Sequence, residues 1–498
     1  MKKILTIALS SLVLLSACDM DINDNPNYAS GDDVTTSMIF PAAENFIADC
    51  VGDDIFNYAG FFAQYFEQMP TTNQYNDIAE LNLNESKSLF DRDYIYLYAG
   101  ALTDLKEIIN RSENTADIFA CTVLRAYAFQ VLVDNMSDAP YTEALQGSSN
   151  PAPKWDNGQA IYEGVLAELD EAEAKLETSD VFSLTDPMLN QDIEQWQGFA
   201  NAIRLRMLLR LIDGNIKVAE NTAKVKALVA EGNFFSGDIK WDVYSNAEGQ
   251  YSPWFDAKNS LNASNHCAAY PIVEYFKATD DPRINYAILP CVYDGSFVGQ
   301  FPGAKTVEAG WLGIATKEYD NDRVSNINYD AFRAAPIYLY TQSELLFLIA
   351  EVELRFNGND AAAKEAYEDA VQTDFISKNA GSASAFLAGN LVSWTGTDAE
   401  KLNRIYMQKW VALFMRDHME AWTEARRTDV PAVSSLSGKE IFENPERYNV
   451  GDFIAPAINY YGNGGVALRV PYPSNARQLN KNTPAAKNVS DRVFWDIK

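Results

Sequence analysis

The sequence contains two histidines, His266 and His418, and this scarcity limits the chemistry that it can support. A nucleophile that needs a histidine base, or a metal site built on several histidines, would have to use these two. The 69 Asp and Glu residues are so numerous that neighbours such as Asp53 and Asp54 say little about acid–base catalysis. The sequence has no glycine-rich phosphate loop and no nucleophile elbow. We therefore predict that the protein is not an enzyme.

Aromatic side chains interleaved with Asn, Gln and Asp are the stronger chemical signal. They lie in two long segments, 52–90 and 233–335, that show little helical periodicity. An aromatic ring can cover the apolar face of a sugar while neighbouring amides and carboxylates bond its hydroxyl groups. The sets that fit this pattern are Tyr65, Phe66, Gln68, Asn73 and Tyr75; Tyr244, Tyr251 and Trp254; and Tyr293, Phe297, Phe301, Trp311, Tyr319, Asn326 and Tyr329.

From these sets we predict a ligand-binding site, and we place Trp311 and Tyr75 first. Trp311 follows two glycines, and Tyr75 lies in an Asn-rich stretch. Any one of these aromatic residues could instead pack beneath a long loop, and a peptide or another small nutrient would use a similar pocket. The loop carboxylates could also hold a structural Ca²⁺ ion, and we predict no other cofactor. The predicted site comprises Tyr65, Gln68, Asn73, Tyr75, Trp254, Phe301, Trp311 and Tyr329.

The N-terminus reads as a sorting signal. A basic dipeptide precedes an apolar stretch over 4–15 that is too short to span a membrane as a helix. Leu15-Ser16-Ala17-Cys18 resembles a bacterial lipobox, in which Cys18 is acylated; the alternative is a secreted protein with a coincidental cysteine. The predicted organisation is a signal peptide at 1–17, a lipidated Cys18 with a flexible acidic tether over 18–37, and a single domain over 38–498.

Composition excludes some partners. The formal charge of −29 repels nucleic acid and anionic lipid headgroups, so we expect neither. Hydrophobic residues make up 47% of the chain, which is ample for a large core. Besides Cys18 there are four cysteines and no CxxC pair. Cys267 and Cys291 could form a disulfide in an oxidising compartment, but buried free thiols are the favoured interpretation for Cys50, Cys121, Cys267 and Cys291.

Outside the two irregular segments, apolar residues recur at helical spacing. Thr341 to Glu344 forms a capping-box pattern, and Gly358 ends that helix. In the next helix Ala363, Tyr367 and Ala370 repeat the spacing of a tetratricopeptide second helix. We predict an all-α fold of about four tetratricopeptide-like hairpins, with 115–134 paired with 158–177 and 190–213 paired with 216–231, and a large irregular, loop-rich half that carries the ligand site.

Several motifs, taken together and in this order, resemble the SusD/RagB family, in its SusD-like branch, of nutrient-binding outer-membrane lipoproteins of the Bacteroidetes. The likeness extends from Cys18 to about Asn480. The segments that carry it are Asp24-Asn25-Pro26-Asn27, Phe129–Asp134 continuing to Asp138–Gly147, Leu205–Arg210, Asp281-Pro282-Arg283, Gln408-Lys409-Trp410 through Trp422 to Arg426–Pro431, and Arg469–Pro473 followed by Asn480.

The resemblance implies a protein anchored to the outer face of the outer membrane, with the acidic run 19–24 as its export signal. Such a protein captures an oligosaccharide or another nutrient and delivers it to a SusC-like TonB-dependent transporter. Arg426, Arg427 and the Tyr472-Pro473 pair are interpreted as structural ion pairs and a tight turn, because binding residues vary within the family. Two alternatives stay open: a surface glycan-degrading enzyme that uses two carboxylates, and a scaffold that binds only the transporter.

Overall fold

Helices dominate the computed structural model of the protein, which describes residues 34–87, 89–177, 179–261, 264–461 and 465–498. The predicted signal peptide, Cys18 and the tether up to residue 33 lie outside the described residues. The α-helices are α1 (Thr36–Gly52), α2 (Asp54–Phe62), α3 (Asn76–Ala79), α4 (Asp91–Ile95), α5 (Thr103–Arg111), α6 (Thr115–Met136), α7 (Gly158–Ala174), α8 (Ile193–Asp213), α9 (Val218–Glu231), α10 (Pro253–Leu261), α11 (Tyr270–Ala278), α12 (Ile284–Ala287), α13 (Glu308–Trp311), α14 (Gln342–Val352), α15 (Asp360–Ser377), α16 (Asp398–Leu413), α17 (His418–Thr428), α18 (Gly438–Glu443) and α19 (Ser474–Leu479).

Four helical hairpins form the scaffold, as the sequence predicts. Helix α6 packs on α7, α8 on α9, α14 on α15, and α16 on α17. The small and aromatic residues Ala363, Tyr367 and Ala370 of α15 are fully buried, so they supply the close helix–helix contact that their spacing indicates. Helix α6 is long and apolar enough to cross a membrane, but 89% of its apolar window is buried inside the protein, as befits a core helix.

The ends of α14 show why this hairpin forms where it does. The Thr341 hydroxyl accepts a hydrogen bond from the Glu344 backbone N–H at 3.1 Å, which caps the helix N-terminus. A π-turn, Glu353–Asn357, extends the helix to Gly358, whose φ of 62° places it in the left-handed region that glycine adopts without strain. The predicted capping box is only half formed, because the Glu344 carboxylate turns away from the cap and pairs with Arg206 of α8.

A network of buried ion pairs connects the hairpins, and its centre is α8. Arg206 pairs with Glu344 of α14 at 2.5 Å. Arg210 pairs with Asp134 of α6 at 2.6 Å and with Glu420 of α17 at 2.5 Å. These side chains are at most 2% exposed, and they join first helices that are far apart in the sequence. The basic helix in the sequence is therefore a structural hub.

Arg427 extends this network, whereas its neighbour Arg426 does not. Arg427 pairs with Glu351 and Glu424 at 2.6 Å, which confirms its interpretation as a structural ion-pair residue. The same interpretation is wrong for Arg426, which donates to the backbone carbonyls of Asp134 and Leu468 and stacks on the Trp422 ring at 3.7 Å. Burial between a helix and the C-terminal segment presents carbonyl oxygens to this guanidinium instead of carboxylates.

Two short antiparallel sheets complete the fold: β1 (Phe66–Gln68) pairs with β3 (His266–Ala268), and β2 (Ile239–Trp241) pairs with β4 (Ile337–Tyr340). The four cysteines in the described part of the chain are buried and unpaired, as favoured above. Buried Tyr472 donates to Asp138 at 2.7 Å, which fits its structural interpretation.

The structure corrects two boundaries drawn from the sequence. Helix α1 begins at Thr36, so the end of the predicted tether is folded, and Ser37 bonds the Thr185 hydroxyl at 2.8 Å. The segments 52–90 and 233–335 are less irregular than predicted, because the first contains α2 and the second contains α10 and α11. Their rings are buried on several sides, which removes the one-sided apolar stripe that marks a surface helix.

Candidate functional site

The β1–β3 pair joins the two segments in which the aromatic sets lie. Phe66 lies opposite Ala268 and Gln68 opposite His266, and the Met69 N–H continues the pairing to the Asn265 carbonyl at 3.0 Å. This sheet brings residues near 70 beside residues near 265, about two hundred positions along the chain. It therefore positions the loops that follow β1 and precede β3 over one face of the scaffold.

Polar contacts then fix the loop after β1. The Gln68 amide oxygen accepts from the Tyr75 backbone N–H at 2.5 Å, and the amide nitrogen donates to the Asn265 carbonyl at 3.2 Å. The Lys305 ammonium donates to Asn76 at 3.1 Å and also bonds Asn73 and the Thr72 carbonyl. Burial lowers the Lys305 pKa. Gln68 and Lys305 thus hold Tyr75 in place from two sides.

Glycine permits the closest approach in the second loop. Gly303 has a φ of 59°, and a Cβ there would lie 2.8 Å from the Pro456 side chain. Its N–H donates to the Glu67 carboxyl at 3.2 Å, and burial raises the pKa of Glu67 well above its usual range. The Gln300 amide nitrogen donates to the Gln68 carbonyl at 2.7 Å. The loop 300–311 is therefore tied directly to β1.

Rings from both segments enclose a cavity of about 50 Å³, here called the His266 cavity. Its lining residues are Asp53, Asp54, Asn57, Tyr75, Trp254, Ala257, Lys258, Asn265, His266 and Tyr329. Tyr75 stacks on His266 with ring centres 4.8 Å apart, and Trp254 stacks on Tyr329 at 4.5 Å. Three of the predicted site residues, Tyr75, Trp254 and Tyr329, therefore meet here.

The floor of the His266 cavity is neutral. The His266 Nε2 lies 2.5 Å from the Asn57 amide oxygen, which can only accept, so Nε2 carries the proton and Nδ1 accepts from the Tyr329 hydroxyl. Burial, together with the nearby His418, lowers the pKa of His266 to about 3. Within the described residues the buried indole N–H of Trp254 finds no hydrogen-bond acceptor.

The rim of the cavity is charged. Burial raises the pKa of Asp54 to about 6 and also raises that of Asp53, against the opposing effect of Arg92. The Arg92 guanidinium lies 2.7 Å from the Asp53 carboxylate and 3.0 Å from that of Asp54. Lys258 lies 5.7 Å from the centre of the Tyr329 ring. Carboxylates thus surround an opening to a neutral aromatic floor.

A second aromatic group, here called the Trp311 cluster, lies on the 300–311 loop. Phe301 is buried and stacks on Tyr270 with ring centres 4.0 Å apart. Trp311 is half-buried and lies 5.6 Å from Phe301 and 5.9 Å from Phe442 of α18. The partly exposed rings of Trp311, Phe442 and Tyr270 form an apolar surface beside the loop that Lys305 holds.

The remaining predicted residues have other environments. Tyr65 is fully buried, stacks on Trp410 at 5.6 Å and bonds its carbonyl, so the structure offers no route from this ring to a ligand. Gln68 is also buried and acts by positioning Tyr75. Asn73 is exposed beside Lys305. Tyr293, from the wider set, is 64% exposed, with the Arg323 guanidinium 4.3 Å above its ring.

Sequence reasoning missed five residues of these two groups: Asn57, Lys258, His266, Lys305 and Phe442. The scarcity of histidine was a usable signal for His266, which was judged only as a metal ligand. Phe442 lies far along the chain in a short helix, and no local pattern connects it to Trp311. Within the described ranges no group of three or more His, Cys, Asp or Glu side chains is arranged to hold a metal ion, so those ranges supply no site for the Ca²⁺ considered above.

Comparison with known proteins identifies related folds. The family model SusD-like_2, described as "Starch-binding associating with outer membrane", matches residues 27–449. A SusD-like protein of Bacteroidetes AC2a is 20% identical, with a TM-score of 0.73 over 93% of this chain and 100% of that chain. A SusD homologue of Bacteroides fragilis is 18% identical, with a TM-score of 0.71 over 93% and 100%.

A third solved structure carries a ligand in its description. It is a chitin-binding SusD homologue of Flavobacterium johnsoniae, 19% identical, with a TM-score of 0.69 over 92% of this chain and 99% of that chain. At these identities the three solved structures establish the shared fold. No curated protein matches the sequence.

Proposed function

Because the chain belongs to the SusD-like family, we propose that it is a cell-surface lipoprotein that captures an oligosaccharide, or a similar nutrient, for a partner SusC-like TonB-dependent transporter. The family is described as starch-binding and associated with the outer membrane. One observation carries the proposal for this chain: loops from distant segments bring aromatic rings and hydrogen-bonding groups together over a helical scaffold. That combination suits the apolar faces and hydroxyl edges of sugars.

Binding without catalysis is the favoured activity. Retaining and inverting glycosidases need two carboxyl groups facing each other across the scissile bond. The rim carboxylates Asp53 and Asp54 are adjacent in sequence and share the guanidinium of Arg92. Such a pair flanks one side of an opening, and this arrangement favours recognition over bond cleavage.

Anchoring through Cys18 would hold the domain at the membrane surface and within reach of a transporter. We expect radiolabelled palmitate to label the full chain expressed in a Bacteroidetes host, and Cys18→Ala to remove the label and release the protein from the membrane fraction. Retention of the label in the variant would contradict lipidation at Cys18. Co-purification of a TonB-dependent transporter with the tagged wild type tests the partner.

Isothermal titration tests the capture function. The chain from Asp19 onward keeps every described residue, and we would titrate it with maltohexaose, cellohexaose, chitohexaose and a set of short peptides, analysing each mixture for products. We expect saturable binding of an oligosaccharide and no products. Product formation would instead support a surface enzyme. Heat signals from none of the ligands, with the transporter still co-purifying, would support the scaffold that binds only the transporter.

A further inference from the structure

The size of the His266 cavity limits what can enter it. Its volume of about 50 Å³ holds roughly three to five water-sized groups, far fewer than the atoms of a hexose ring. A sugar bound at its opening could therefore insert only a substituent. The common small substituents of sugars are hydroxymethyl, carboxylate, sulfate, ammonium and acetamido groups, and they differ in charge and shape.

Charge excludes the anionic substituents. A carboxylate or sulfate would have to pass Asp53 and Asp54 at the rim, and the neutral imidazole of His266 on the floor offers it no compensating charge. The Arg92 guanidinium, which could attract an anion, already bonds both rim carboxylates. Lys258 is one cation against two carboxylates in the lining.

Ammonium and hydroxymethyl groups leave the floor unused. An ammonium group is stabilised at the rim carboxylates and would lose its hydration among the rings below them. A hydroxymethyl group is too small to fill the cavity and covers little of the Tyr75 and Tyr329 rings. Neither accounts for both the aromatic walls and the polar groups on the floor.

An acetamido group matches the lining on three counts. It is neutral, so neither the rim nor the floor repels it. Its flat amide and methyl pack well on stacked rings such as Trp254 and Tyr329. Its carbonyl oxygen is a strong acceptor for a cavity whose lining includes a buried indole N–H without an acceptor among the described residues.

We propose that the His266 cavity is a pocket for the acetamido group of an N-acetylated amino sugar, so that oligosaccharides of such sugars are the nutrient class. The inference rests on the proposed capture function and narrows it. The walls of the pocket are the rings of Tyr75, Trp254 and Tyr329, and its rim is Asp53 and Asp54.

Three matched oligosaccharides test this assignment on the chain from Asp19 onward. Chitohexaose and cellohexaose share one backbone and differ at the acetamido group, and fully deacetylated chitohexaose carries ammonium groups instead. We expect isothermal titration to show chitohexaose binding at least tenfold more tightly than either of the others. Equal affinity for chitohexaose and cellohexaose, or tighter binding of the deacetylated form, would overturn the acetamido pocket and leave the capture function standing. Binding of none of these and of no maltohexaose would count against both.

Two variants locate the preference in the cavity. Ala257→Leu, on the half-buried wall contributed by α10, fills the cavity without removing a hydrogen bond, and we expect chitohexaose affinity to fall to the cellohexaose level. Ser260→Leu, at an exposed position of the same helix, is the matched control and should keep the preference. Trp254→Phe retains a ring and removes the indole N–H, so it should weaken chitohexaose several-fold and leave cellohexaose unchanged. An intact tenfold preference in Ala257→Leu would overturn the assignment to this cavity.

Discussion

The hairpin half and the loop half of this protein handle buried polar groups in opposite ways. In the hairpins, buried charges are paired: Arg427 and Arg355 outweigh the effect of burial and lower the pKa of Glu351 to about 2. Around the His266 cavity, burial prevails instead, so His266 stays neutral and Asp54 titrates at about 6. A charge network fixes the relative positions of helices, whereas a neutral ring-lined cavity leaves faces and donors available to a ligand.

The difference has an energetic basis. Each buried ion of the network depends on its partners, because an unpaired charge in the interior costs several kcal/mol, roughly 3–5 when one partner is removed. Stacked rings tolerate the loss of one face more easily, since their contacts are many and individually weak. The scaffold should therefore be sensitive to single substitutions in stability, and the loop half in binding.

Arg210→Met is expected to have the largest effect on the comparison. It leaves the carboxylates of Asp134 and Glu420 buried without their guanidinium, and we expect a loss of about 3–5 kcal/mol in the free energy of unfolding, measured by urea denaturation. Lys175→Met is the control, because its pair with Glu171 is exposed and should contribute nothing measurable. An Arg210→Met protein as stable as the wild type would contradict the hub role of α8.

Trp311→Ala should give the opposite pattern. Trp311 is half-buried in the loop half, and we expect at least a tenfold loss of oligosaccharide affinity, or about 1.4 kcal/mol, with little change in melting temperature. Trp394→Ala removes an equally half-buried tryptophan from the hairpin half, where its indole N–H donates to Asp360 at 3.1 Å. That control should lower stability and keep affinity. The reverse result would exchange the roles of the two halves.

Substitution of His266 should produce a pH-dependent effect of intermediate size. The folded-state pKa of about 3 lies below the unfolded value of about 6.5, so the unfolded chain takes up a proton first as pH falls. Stability from neutral His266 is complete above pH 6.5 and declines by up to about 1.4 kcal/mol per pH unit below it. The stability gap between wild type and His266→Gln should therefore narrow from pH 7.5 to pH 5.

Tyr329→Phe provides the control for this titration, because it removes the hydroxyl that bonds His266 but leaves the imidazole. Its own stability gap to the wild type should change much less with pH. Thermal melts of the three proteins at matched ionic strength supply the measurement. A His266→Gln gap that stays constant down to pH 5 would show that His266 is protonated in the folded protein.

Lys305→Met should have the smallest effect. The ammonium of Lys305 bonds three acceptors of the loop after β1, and its loss should loosen Tyr75 and weaken oligosaccharide binding a few-fold. Amide exchange in 69–76 should quicken while exchange in α8 stays unchanged. Lys364→Met, on the exposed face of α15, is the matched control. Unchanged exchange in 69–76 would show that Gln68 alone positions the loop.

The hairpins were predictable because their evidence is local. The capping residue Thr341, the terminal Gly358 and the spacing of Ala363, Tyr367 and Ala370 all act within a few turns of one helix. The aromatic segments were also recognisable by composition, and three of the eight predicted site residues line the same cavity. Local patterns thus gave the scaffold and the neighbourhood of the site.

The remaining features depend on contacts between distant segments. Pairing of β1 with β3 decides that Tyr75 meets His266, and packing of α18 decides that Phe442 meets Trp311. Tyr65 shows the same limit, since β1 alternation and the position of Trp410 turn this ring into the core. A sequence pattern reports residue types and spacing, whereas these outcomes depend on which distant surface covers each ring.

Hydrogen exchange with and without bound oligosaccharide tests the division of labour most directly. We would use the chain from Asp19 onward, saturated with the tightest binder among maltohexaose, cellohexaose and chitohexaose. Protection should concentrate in 69–76, in 300–311 and in α10, with α8 and α17 unchanged. Protection confined to the hairpins α6 to α9, with none in those loops, would contradict the assignment of ligand binding to the loop half.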